Sequence, residues 1–130
     1  MVVFWAETLT GSLNLTWVVL WDNNAPTEIS STPNWNPEYF YDGYRTQEFT
    51  ITFKDYEKDE VSYTITVQTD WGSTDPLSGE ILSLHYDSNN EAVINFIYSA
   101  PNNNVWNKKI TITLNDGVNV VSYDIDVYIL

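Results

Sequence analysis

Val120-Val121-Ser122-Tyr123-Asp124-Ile125-Asp126-Val127-Tyr128-Ile129 alternates residue by residue, with Val121, Tyr123, Ile125, Val127 and Ile129 on one side and Ser122, Asp124, Asp126 and Tyr128 on the other. A repeat of two is the period of a strand half buried in a sheet, whereas a helix repeats its apolar residues at three and four. Working back along the chain, the same period and the same wealth of threonine, valine, isoleucine and tyrosine recur. The runs are Gln47 to Lys54, Val61 to Gln68, Ile81 to Tyr86, Ala92 to Tyr98 and Lys109 to Asn115. No stretch reads as helix.

Turn signals separate these runs: Asp55 to Glu60, Asp70 to Gly79, Asp87 to Asn90, Pro101 to Asn104 and Asn115-Asp116-Gly117. Short strands with such punctuation predict an all-β fold, a sandwich of two antiparallel sheets with about seven strands in about 100 residues. Residues 23–130 have that length. Ser31 to Tyr44, with Pro33, Pro37 and several aromatics, reads as a long connection with at most a short edge strand. Residues 1–22 are then surplus, and strongly apolar: Val2-Val3-Phe4-Trp5, then Leu13 to Trp21 with Gly11 as a turn. They form either an added hairpin or a strand that completes a neighbouring molecule, because an apolar strand left bare would aggregate.

Composition narrows the function. A chain of 130 residues is one domain and can bury a core without metals or disulfides. The absence of cysteine excludes thiol nucleophiles, redox pairs and thiolate metal sites. With 5 Lys and Arg against 18 Asp and Glu, the net charge is −13, which makes nucleic acid and anionic membranes poor partners. Yet 43% of the chain is hydrophobic and 15% aromatic, so this is a folded acidic surface rather than an acidic disordered tail. No stretch reaches the roughly 18 apolar residues of a membrane span, and no basic segment precedes an apolar core at the N-terminus. Asn14-Leu15-Thr16 fits the N-glycosylation pattern.

Three segments, in order, resemble the cadherin-like and immunoglobulin-like repeats of bacterial and archaeal cell-surface proteins. Asp22-Asn23-Asn24-Ala25-Pro26 looks like the linker that precedes the first strand of such a repeat. Phe53-Lys54-Asp55-Tyr56-Glu57-Lys58-Asp59-Glu60-Val61-Ser62-Tyr63-Thr64-Ile65 is similar to the family's A-x-D-x-D-G-D-x-L-x-Y-x-V signature, with Lys58 where the family has glycine. Ile97-Tyr98-Ser99-Ala100-Pro101, followed by Ile110-Thr111-Ile112-Thr113-Leu114-Asn115-Asp116-Gly117, resembles the closing elements. The resemblance implies an immunoglobulin/cadherin-like sandwich, an extracellular or cell-surface location, calcium as the bound ion, and other copies of itself or neighbouring surface repeats as partners.

Physical chemistry supports calcium independently. Calcium takes six to eight hard oxygens, and the alternating acids Asp55, Glu57 and Asp59 can present several from one loop. Asp22, Asn23 and Asn24 add oxygens if the linker folds beside that loop. For association, Trp5, Leu13, Leu15, Trp17, Val19 and Trp21 are the candidate residues of the N-terminal strands. Gly11-Ser12-Leu13-Asn14-Leu15-Thr16 weakly echoes Gly117-Val118-Asn119-Val120-Val121-Ser122, as expected if the N-terminal strand completes the sheet of another copy and builds a head-to-tail filament by strand addition.

Catalysis finds little support. His85 is the sole histidine and sits in the strand-like run Leu82 to Tyr86, and no nucleophile elbow, P-loop or dinucleotide fingerprint is present. The chain is expected to be non-enzymatic. The rival function is carbohydrate binding: Trp35, Trp71 and Trp106 fall in predicted loops beside polar residues, an arrangement that suits stacking on sugar rings.

Overall fold

The alternating runs pair into two packed sheets. The structure, a computed structural model, describes residues 2–9, 13–20, 23–34, 38–40, 46–68, 70–101 and 105–129. In chain order its strands are β1 (Val2–Leu9), β2 (Leu13–Leu20), β3 (Thr27–Thr32), β4 (Glu38–Phe40), β5 (Thr46–Lys54) and β6 (Val61–Val67). They continue with β7 (Ser73–Asp75), β8 (Ser78–Ile81), β9 (Glu91–Ser99), β10 (Val105–Asn115) and β11 (Val120–Ile129).

One sheet has the order β3-β5-β9-β7 and the other β4-β11-β10-β6-β8, an immunoglobulin-like sandwich. The period-two pattern dictates which residues meet between the sheets. Phe49, Ile51 and Phe53 of β5 and Ala92, Ile94, Phe96 and Tyr98 of β9 are buried from one side. From the other come Val61 and Ile65 of β6, Ile110, Ile112 and Leu114 of β10, and Ile125 and Val127 of β11. Phe49 and Phe96 stand opposite each other in the β5–β9 ladder and stack with ring centroids 5.3 Å apart. Aromatic pairing of this kind adds to the stabilisation from burial alone.

The ladders also bring distant segments to one end of the sandwich. Lys54, at the end of β5, pairs with Thr27 at the start of β3 and with Glu91 at the start of β9. Asn115, at the end of β10, pairs with Ser62 and Val120. Residues 23–26, 55–60, 86–90 and 115–119 therefore emerge together.

Several details depart from the sequence reading. The two sheets hold nine strands; β3 and β7 are additional to the clear runs. Pairing is antiparallel except where β4 lies parallel to β11, Tyr39 opposite Tyr128. The expected short edge strand within Ser31 to Tyr44 is β4. The expected strand Ile81 to Tyr86 is instead the end of β8 followed by a single 3-10 turn, Ser83–His85. The His85 side chain explains the difference: its Nδ1 accepts the Leu82 N–H at 2.8 Å, while the His85 main-chain N–H donates to the Leu82 carbonyl at 2.9 Å. This closes a local ring that a sheet ladder cannot share. Trp106, expected in a loop, lies in β10.

The N-terminal strands are a hairpin: β1 and β2 pair antiparallel from Val2 opposite Leu20 to Leu9 opposite Leu13. Among the described residues they form a separate two-stranded sheet.

Candidate metal centre

Asp55 ends β5 by turning the chain back on itself. Its Oδ1 accepts the N–H groups of Glu57 at 3.0 Å and Asp59 at 3.1 Å, and its carbonyl accepts the Lys58 N–H at 3.2 Å. This turn requires a left-handed residue, and Lys58 supplies it with φ of 55°. The position is the one where the resembled motif carries glycine, the residue that adopts this conformation without steric penalty.

The turn aims three carboxylates at one point. One oxygen from each of Asp55, Glu57 and Asp59 lies within 4.8 Å of the others. Asp55 is 0% exposed, and its Oδ2 has no hydrogen-bond partner. Glu57 Oε2 and Asp59 Oδ2 are likewise buried and unpartnered. So is Asn23 Oδ1, from the segment ahead of β3.

That segment is held by further contacts. Asn24 donates to Glu57 Oε1 through both its main-chain N–H and its Nδ2, each at 2.9 Å. Asn119 Nδ2 donates to the Asn23 carbonyl at 3.0 Å. Asn119 is itself fixed by Asp116, whose Oδ2 accepts from Nδ2 at 3.2 Å and whose Oδ1 accepts the Val118 N–H at 2.9 Å. From the remaining side, Tyr86 OH donates to the Asp59 carbonyl at 2.7 Å, and its ring meets Phe53 edge-on at 6.0 Å.

Burial and mutual repulsion set the acidities of these groups. Burial raises the Asp55 carboxyl above its ordinary range, against the opposing hydrogen bond from the Asp59 N–H, and the neighbouring Asp59 and Glu57 charges push it further. Burial also raises Asp59, reinforced by Glu57 and Asp116 and opposed by a hydrogen bond with the Asn23 side chain. Asp116 differs: burial pushes it up, but the N–H groups of Asn119 and Val118 and the Asn119 amide outweigh that and hold it low. Burial and the same three aspartates push the Tyr86 phenol up, so it stays a donor.

Four buried, unpartnered oxygens on Asn23, Asp55, Glu57 and Asp59 fit a hard divalent cation, and with no nitrogen or sulfur donor among them they fit calcium better than zinc or copper. A depression of about 400 Å³ lined by Asn23, Tyr56, Glu57 and Asp59 adjoins them.

The sequence candidates thus divide. Asp55, Glu57, Asp59, Asn23 and Asn24 are brought together, Asn24 as a clamp on Glu57 rather than as an unpartnered oxygen. Asp22 lies outside the described residues. Asp116, Asn119 and Tyr86 escape sequence reading. The Asn115-Asp116-Gly117 turn gives no linear sign that it faces the linker 96 positions from Asn119. Of the candidate sugar platforms, Trp35 lies outside the described residues, as does the Trp106 side chain. Trp71 is half-buried with the Lys108 ammonium 4.3 Å over its ring, and its carbonyl accepts the Tyr98 hydroxyl. Among the association residues, Trp21 lies outside the described residues. Trp5 is in β1 and Leu13, Leu15, Trp17 and Val19 are in β2, their side chains likewise outside.

No protein-family model matches the chain, and no curated protein does. Among solved structures it is similar to WR4, a C. elegans MSP family member, at 11% identity and a TM-score of 0.44, covering 78% of this chain and 95% of that one. It is also similar to the ASH/PapD-like domain of human CEP192 (PapD-like domain 7), at 7% identity and a TM-score of 0.41, covering 96% of this chain and 97% of that one.

Proposed function

We propose that this chain is a non-enzymatic, cadherin-like structural or adhesion module of a cell surface. In this reading it binds calcium where its linker meets the sandwich and associates with other copies through its N-terminal strands. The observation that carries the reading is the cluster of Asp55, Glu57 and Asp59, with carboxylate oxygens within 4.8 Å of one another, each residue having a buried unpartnered oxygen, beside Asn23, whose Oδ1 is also unpartnered. An ionised carboxylate buried without a counter-charge is strongly unfavourable, and three within 4.8 Å of one another are more so. A bound divalent cation converts that repulsion into attraction.

The location of the site explains what the ion does. Asn23 and Asn24 follow the last residue of β2, Leu20, by three and four positions, and they precede β3. An ion shared by Asn23 and the 55–59 turn fixes the chain at the joint between hairpin and sandwich. Association then runs through the hairpin, whose strands have no further strand beside them among the described residues.

Sedimentation velocity of the purified chain in millimolar calcium and in excess chelator tests both halves. Large species in calcium that shrink in chelator are the expected result. A single 15.0 kDa species in both buffers at every concentration would remove the association half. A melting temperature unchanged by calcium would remove the metal half.

A further inference from the structure

The free edges of the sandwich differ in what they offer a partner. β9 is paired with β5 along its whole length, from Glu91 to Ser99, but with β7 only at Ile97, Tyr98 and Ser99. After Asp75 the chain leaves that edge and crosses to the other sheet, where the Leu77 carbonyl accepts the Ile65 N–H at 2.8 Å. Ala92-Val93-Ile94-Asn95-Phe96 is left with one side of its backbone unpaired among the described residues. The segment has no charge, no proline and no bulge, the devices by which sheets protect an edge. Its outward side chains are uncharged: Val93 is 46% exposed, Asn95 accepts the Thr50 hydroxyl at 2.8 Å, and Ile97 just beyond is again 46% exposed.

The other edges are guarded. β11 is paired with β10 and, among the described residues, lacks a second neighbour from Val120 to Asp126, but its outward row carries Asp124 and Asp126, both near Lys109. β8 has four residues, one of them Glu80. β3 is broken by a bulge with Glu28 at φ of 52°.

The chain also carries a matching strand. β2, Leu-Asn-Leu-Thr-Trp-Val-Val-Leu, has no charge, pairs on one side with β1, and among the described residues has no strand on its other side. We propose that β2 of one copy adds edge to edge onto Ala92–Phe96 of β9 in a second copy, extending its four-stranded sheet. This deepens, and rests on, the reading of the hairpin as the associating element. The inward residues Ala92, Ile94 and Phe96 are already buried in the monomer, so the added strand extends a finished sheet and fills no gap in the core. Donor and acceptor are different surfaces, which makes the contact heterologous and allows it to propagate.

The chain has no cysteine, which permits a clean mapping experiment. Single variants Asn14→Cys and Thr16→Cys in β2 are each mixed with Val93→Cys, Asn95→Cys or, as the comparison edge, Ser122→Cys, and oxidised under assembling conditions. Residues opposite each other on neighbouring strands lie about 4.5 to 5.5 Å apart at Cα, within disulfide reach. Val93, Asn95 and Ser122 are exposed, and circular dichroism checks that each variant is folded.

Disulfide-linked species with Val93→Cys or Asn95→Cys, several-fold above those with Ser122→Cys, are expected. Linkage to Ser122→Cys alone, or assembly without linkage to β9, overturns the β9 acceptor while leaving association intact. No assembly of the unmodified chain at any concentration overturns the association reading and this proposal with it.

Discussion

Replacing Asp55 by asparagine should change stability in opposite directions with and without calcium. Asparagine keeps an oxygen for the N–H groups of Glu57 and Asp59 but presents an amide where the unpartnered Oδ2 now points. Without metal, the substitution removes a buried charge within 4.8 Å of two others. At that distance each pair repels by about 3 kcal/mol with an effective dielectric of about 20. Weaker, uncharged hydrogen bonds at the turn and partial protonation of the native carboxyl offset most of this. The net gain is on the order of 1 kcal/mol, or about 4 °C in melting temperature for a domain of this size. With calcium at a hundredfold excess over its dissociation constant, the native chain gains about 2.7 kcal/mol, or about 10 °C, and the variant loses most of that gain. Differential scanning calorimetry in chelator and in calcium reads both directions. A variant destabilised by the same amount in both buffers would refute the reasoning, since Asp55 would then be only a turn-former.

Acidification gives a related test. Asp55 and Asp59 have folded pKa values above the usual 3.8, so the stability linked to them is full below the unfolded value and lost as pH rises through the folded one. The metal-free protein should therefore melt higher as pH falls from neutral towards about 4. Below that, protonation of Asp116, whose pKa is lowered, reverses the trend; calorimetry across pH in chelator checks both limbs. Lys58→Gly relieves a left-handed backbone and should stabilise by about 0.5 to 1 kcal/mol in urea melts. Gly72→Ala should destabilise by about 2 to 4 kcal/mol in the same assay. At φ of 114° its new Cβ would lie 2.5 Å from the Ser99 carbonyl oxygen and 2.7 Å from Tyr98 Cε2.

The sandwich was legible because burial in a sheet imposes a period of two on every long strand. Val121 to Val127 shows this, and so does β9, whose buried and exposed residues alternate without a break from Ala92 to Tyr98. Short elements were illegible for the same reason. β7 has three residues, too few for alternation to show. The run Leu82 to Tyr86 alternates by composition, yet a side-chain bond from His85 settles it into a turn. Asp55, Glu57 and Asp59 were legible because one loop holds all three. Asp116 and Asn119 were not, since they meet Asn23 only after the ladder Ser62–Asn115–Val120 brings their turn beside the linker.

If the proposed site binds calcium and the hairpin associates as proposed, the order of the chain couples the two. β2 ends at Leu20, Asn24 grips Glu57, and β3 begins at Thr27, so few bonds separate the hairpin from the candidate ion site. In that reading, three mutually repelling carboxylates favour releasing Asn23 and Asn24 from the turn when no metal is bound, and a bound ion would hold them, leaving β2 less conformational freedom to lose on meeting a second copy's β9. The coupling is reciprocal: if calcium tightens association by some factor, association must tighten calcium binding by the same factor. Half-saturation with calcium should therefore move to lower concentration as protein concentration rises through the assembly transition. In a chain shortened to residues 23–130 that dependence should vanish while the oxygens of Asn23, Asp55, Glu57 and Asp59 remain. Separate loss of the two would assign the ion's affinity to the turn and its influence on assembly to the hairpin.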